Sequence, residues 1–139
     1  MTLTPIEQKH IGDLWEWVRR GLIEIKRRSN EVACPWHPED IYLALRTNTA
    51  ALYVIGAEDG FIVVQKLESS YERVLFVWAM WGPRGTLWRH RKAIAEAIDG
   101  LAKSVGCNRV RMISSRDTAW TGVNLFVPVS TIFEREVTA

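Results

Sequence analysis

The stretch Ala93–Ile113, "AIAEAIDGLAKSVGCNRVRMI", decides the fold. Ile94, Ala97, Ile98, Leu101 and Val105 recur at helical spacing along its first half, and Gly106 stands where a left-handed residue closes a helix. From Asn108 the alternation of "NRVRMIS" is that of a strand. Ahead of the helix lies "RVLFVWAMW", Arg73–Trp81, a strand-like run that feeds it through "GPRG". The expected unit is strand, turn, helix from Thr86, then strand.

Working towards the N-terminus, "ALYVIG" and "FIVVQKL" read as two more strands, split by the hairpin signal "AEDG" and joined to Arg73–Trp81 by the polar "ESSYE". This predicts an antiparallel meander. Two helices precede it. The first is expected to start with Thr4 as N-cap, Pro5 at the first position and Glu7 closing a capping box, and to end near Arg28. Its apolar stripe is Ile11, Leu14, Trp15, Val18, Leu22 and Ile25. The second opens at Pro38 with Glu39 and Asp40 in its first turn. Beyond Ser114 a short helix within "SRDTAWTGVNLF" and a last strand in "VPVSTIFEREV" are expected, giving the order α α β β β α β (α) β.

At 139 residues, with 47% hydrophobic and 24% charged residues, the chain has the composition of a single folded domain, 1–139, and not of a disordered or fibrous protein. A net charge of +2 is too mild to argue for nucleic acid from the total alone. Two cysteines, Cys34 and Cys107, form no metal motif, and no metal is expected. The longest apolar run is far shorter than a membrane span, and "MTLTPIEQKH" has no signal-peptide core, so no membrane association is expected.

The junction Val77–Ile94, "VWAMWGPRGTLWRHRKAI", is the chemically loaded segment. Arg84, Arg89, His90, Arg91 and Lys92 crowd a helix start with no acid before Glu96. Positive charge there opposes the helix dipole by roughly 0.3 to 1 kcal/mol per well-placed group. An anionic partner offsets that cost, and a solvated, screened face is the plain alternative. Seven tryptophans cannot all be central in so small a core, so some are expected at an interface. Strand alternation sets Trp78 opposite to Val77 and Trp81, so one of the two tryptophans is expected off the main core face.

The element order, together with "AIAEAIDGLAKSVGCNRVRMI" and the closing "LFVPVSTIFERE", resembles the GCN5-related N-acetyltransferase (GNAT) superfamily over nearly the whole chain. The resemblance implies an α+β fold: a mixed, mostly antiparallel sheet flanked by helices. It also implies a loop that wraps the pyrophosphate of acetyl coenzyme A with backbone amides, in the family's form Gln/Arg-x-x-Gly-x-Gly/Ala. The corresponding place here reads "WGPRGTLW", with shorter spacing and with Pro83 removing one donor. If coenzyme binds, the resemblance points to Gly82, Arg84, Gly85, Thr86 and Arg89. The family's usual acid is a late tyrosine, and this sequence has none after Tyr71. Ser114 or Ser115 acting through water as acid, and His90, Glu68 or Asp117 as base, are the remaining titratable or hydroxylic options.

Small GNAT-like proteins with eroded coenzyme loops resemble those encoded among virion-assembly genes of short-tailed bacteriophages. The first expectation is therefore a noncatalytic virion or assembly protein, without cofactor, that binds other protein subunits through Trp81, Trp88, Arg89, Arg91 and Lys92. Its expected place is the bacterial host cytoplasm during assembly, or the virion. The alternatives are an N-acetyltransferase moving an acetyl group from acetyl coenzyme A to an amine, and a nucleic-acid contact through the basic helix start. Homo-oligomerisation stays open.

Overall fold

The computed structural model describes residues 1–29, 34–112 and 135. Strand β1 (Leu3–Pro5) and a 3-10 turn (Gln8–His10) lead into helix α1 (Ile11–Arg28), followed by α2 (Pro38–Arg46). The meander β2 (Ala51–Ile55), β3 (Gly60–Glu68) and β4 (Arg73–Trp81) comes next, then α3 (Thr86–Arg89), α4 (Arg91–Ser104) and β5 (Arg109–Met112). The sheet runs β1-β2-β3-β4-β5, antiparallel except for the parallel β4–β5 pair that α4 makes possible as a crossover. The mixed, mostly antiparallel sheet between helices is the expected fold class.

Each face of the sheet has its own core. Phe61, Val63, Leu52 and Ala79 pack under α1 and α2 with Ile11, Val18, Leu22, Ile41 and Leu45. On the other face Ile62, Val64, Leu75 and Val77 meet Ile94, Ile98 and Ala102 of α4. Helix α1 approaches β3 closely because residue 21 is glycine: a Cβ there would come 2.5 Å from the Phe61 ring. Helix α2 starts as expected at Pro38, and the Asp40 carboxylate accepts a 2.7 Å bond from the His37 backbone N–H. That places His37 as a turn residue.

Three expectations are corrected. Thr4, Pro5 and Glu7 do not begin a helix: Leu3, Thr4 and Pro5 pair antiparallel with Ile55, Val54 and Tyr53, and α1 starts at Ile11. Proline suits this edge strand, where its missing N–H costs no ladder bond, and the Ile6 N–H extends the pairing to the Leu52 carbonyl at 3.0 Å. The helix expected from Thr86 breaks at His90, giving α3 and α4. Finally, the register of β3 against β4 shifts between Val63 and Val64, which face Ala79 and Val77, so Trp78 is an inserted bulge residue. The bulge resets the alternation, and Trp78, Ala79 and Trp81 all pack towards α1 and α2.

Gly106, at φ +79°, ends α4 as expected, with the Cys107 N–H reaching back 2.8 Å to the Ala102 carbonyl. The short helix and last strand expected after Ser114 lie outside the described residues. Among the described residues no helix is long and apolar enough to cross a membrane.

Candidate functional site

Strand β4 delivers the chain into the turn Gly82–Gly85. Gly82 is buried against the β2–β3 turn, where a Cβ would come 3.0 Å from the Asp59 carbonyl oxygen and 3.1 Å from Leu87. Gly85 is left-handed at φ +79° with open space where a Cβ would stand. The Thr86 N–H donates to the Pro83 carbonyl at 2.9 Å, and the Arg89 N–H to the Gly85 carbonyl at 3.0 Å. The amide of Thr86, one of the residues that the resemblance assigns to the coenzyme, is thus committed to the turn itself. The Arg84 and Gly85 amides have no hydrogen-bond partner among the described residues. Thr86 is buried, while Arg84 and Arg89 are exposed.

The tryptophans expected at the partner surface part company. Trp81 turns inward: its Nε1 donates 2.9 Å to the Glu24 carboxylate, and its ring stacks on Phe61 at 5.7 Å between centroids. Trp88 turns outward and is 53% exposed. The Arg91 guanidinium lies 4.1 Å from the Trp88 ring centroid and donates 2.8 Å to the Trp88 carbonyl. Arg89 and Lys92 are exposed beside that pair on α3 and α4. The structure therefore gathers Trp88, Arg89, Arg91 and Lys92 at one helix junction and packs Trp81 apart from them, under α1 and α2 on the sheet face opposite the α4 core.

That junction is positive. Neither α3 nor α4 has an acid in its first turn. Among the described residues Arg84, Arg89, Arg91 and Lys92 form no ion pair, whereas Arg19, Arg20, Arg28, Lys66 and Arg111 all do. The perturbed carboxyls lie at the far end of β4: a hydrogen bond from Arg111 lowers the Glu72 pKa, and one from Lys66 lowers that of Glu68. Burial raises the pKa of the Tyr53 phenol, on β2.

A second feature lies on β4. Pairing with β5 covers Val74 to Val77, and the bulge at Trp78 follows directly. Among the described residues, the backbone of Trp78 to Met80 has no β5 partner.

Two residues that sequence reasoning passed over tie α1 to its neighbours, one to the end of β4 and one to the segment before α2. Glu24 is the acceptor for Trp81, and Lys26 donates to the carbonyls of Cys34 and Trp36 beneath the Trp36 ring. A glutamate on the flank of the α1 stripe was the one available signal for the first. Nothing local signals the second.

Among solved structures the chain is similar to a probable acetyltransferase at 13% identity, with a TM-score of 0.65 over 100% of this chain and 98% of the other. It is also similar to a predicted acetyltransferase from Clostridium acetobutylicum solved with acetyl-CoA, at 13% identity and a TM-score of 0.65, covering 97% and 95% of the two chains. The fold is GNAT-like. A third GNAT-like neighbour is AAC(6')-Iy in complex with the bisubstrate analogue CoA-S-monomethyl-acetylneamine, at 15% identity, TM-score 0.60 and coverage of 98% and 97%. No protein-family model matches the chain, and no curated protein matches it in sequence.

Proposed function

We propose that this GNAT-like chain is a noncatalytic protein of bacteriophage virion assembly that binds other protein subunits through the α3–α4 junction. The observation that carries the reading is the outward Trp88 with Arg91 held across it. Tryptophan and arginine together are the side chains that most often dominate a protein interface. The reduced amide set of the loop and the lack of any tyrosine after Tyr71 support a binding role over acetyl transfer. The phage setting rests on the resemblance of the sequence to small GNAT-like proteins of virion-assembly regions. Trp88, Arg89, Arg91 and Lys92 make the contact, and Trp81, packed under α1 and α2, takes no part in it.

The test is co-purification from infected cells of virion subunits with the tagged chain, compared with the Trp88→Ala Arg91→Gln variant. Structural subunits recovered with the parent and lost with the variant are expected. Equal recovery with both would remove the junction from the interface.

A second reading is acetyl transfer, favoured by the bulge at Trp78 and the β4 backbone beyond β5. There Arg84, Gly85 and Arg89 would hold the coenzyme phosphates, and the backbone of Trp78 to Met80 would orient the thioester that the coenzyme supplies. Calorimetry with acetyl coenzyme A separates the two. Micromolar binding that is lost in Gly85→Asp would favour the enzyme; no heat with the parent chain favours the docking module.

A further inference from the structure

We infer that the partner at the Trp88–Arg91 surface presents a short acidic protein segment, whose carboxylates pair with Arg91, Arg89, Lys92 and Arg84 around the indole. The inference rests on the docking role proposed above and adds the chemistry of what docks.

Arg91 is restrained twice before any partner arrives. Its guanidinium stacks 4.1 Å from the Trp88 ring centroid, and Nη1 donates 2.8 Å to the Trp88 carbonyl. The remaining donors of the fork stay available for a carboxylate, in the planar geometry that favours paired N–H···O contacts. Less side-chain freedom is then lost on binding than for a mobile arginine. The half-exposed indole beside it buries apolar area in the same event.

The extent of the positive surface selects the kind of anion. Arg84, Arg89, Arg91 and Lys92 lie together without a carboxylate partner among the described residues, but the patch is bounded. On one side the β2–β3 turn bears exposed Glu58 and Asp59, and the Asp59 carbonyl packs against Gly82. On the other, α4 continues with exposed Glu96 and Asp99. A nucleic-acid backbone carries charge continuously and would run onto these carboxylates. A few acidic side chains on a folded partner match the patch and end where it ends. The total charge of +2 agrees with a local surface and not with a polyanion track.

A random peptide display library panned on the intact chain, with counter-selection on the Trp88→Ala Arg91→Gln variant, reads the chemistry without a known partner. Both positions are away from the two cores, and circular dichroism checks that the variant is folded. Enriched peptides rich in Asp and Glu are expected, weakened at least about tenfold by the substitutions and by raised salt. Enriched peptides that are neutral and aromatic, yet still lost in the variant, would overturn the acidic inference and leave the docking surface standing. Peptides that bind parent and variant alike, or no enrichment at all, would overturn both. Oligothymidylate that binds the parent and displaces the selected peptides would overturn the inference in favour of nucleic acid.

Discussion

The indole Nε1 of Trp81 donates a 2.9 Å hydrogen bond to Oε2 of Glu24 across 57 residues of sequence. The bond fastens the end of β4 to α1, and with it the turn that starts at Gly82. The same ring stacks on Phe61 and meets Trp17 edge-on at 5.9 Å. Trp81→Phe keeps the stack and removes the hydrogen bond, at an expected cost of about 1 kcal/mol. Trp81→Ala also opens a cavity beside Gly21 and should cost about 2 to 3 kcal/mol. Urea unfolding reads both, and a parent-like midpoint for Trp81→Ala would refute the structural role.

Gly60 and Gly85 both have positive φ, +153° and +79°, but only one is crowded. A Cβ on Gly60 would overlap the Trp81 carbonyl oxygen, part of the backbone that leads into the candidate site. Gly60→Ala should therefore destabilise by about 3 kcal/mol or more. Gly85 faces open space, so Gly85→Ala should cost only the left-handed penalty of about 1 kcal/mol. Thermal melts of the two variants rank them; equal losses would contradict the close approach of β3 to Gly82.

A hydrogen bond from Arg111 holds Glu72 below the usual carboxylate range, and the pair ties β5 to the start of β4 at 2.7 Å. A pKa lowered on folding means the folded state favours the ionised form. The contribution is therefore full above the unfolded carboxylate pKa and is lost as pH falls through the lower folded value. Arg111→Gln should return Glu72 towards its ordinary range and flatten that part of the acid limb of stability against pH. Denaturant midpoints between neutral and strongly acidic pH check this, and an unchanged limb would show that the pair carries no linkage.

What was legible in the sequence was what local periodicity controls. The α4–β5 unit follows from the spacing of Ile94, Ile98 and Leu101 and the left-handed Gly106, and the meander from its turn residues. What was hidden depended on pairing. Thr4 and Pro5 carry a sound helix-start signal, yet β2 offers them a strand partner at Tyr53 and Val54, and the ladder wins. The bulge at Trp78 exists because β3 and β4 differ in register, a relation that neither strand records alone. The same holds for the site. Its charge was readable in "WRHRK", while the opposite fates of Trp81 and Trp88 follow from the bulge and from the distant Glu24.

Lys92 brings these strands of argument to one measurement. It sits in the first turn of α4, where its charge opposes the helix dipole and where no acid compensates it. Lys92→Glu should favour the dipole, less the repulsion from Glu96 one turn on, for a net gain of about 0.5 kcal/mol in stability. The same substitution reverses a charge on the docking surface and should weaken partner or selected-peptide binding at least about tenfold. A variant that is more stable and binds worse would mean that the cation is kept at a structural cost for the sake of its partner. A variant that binds as well as the parent would make the charge incidental, and one that loses stability would assign Lys92 to holding the α3–α4 junction.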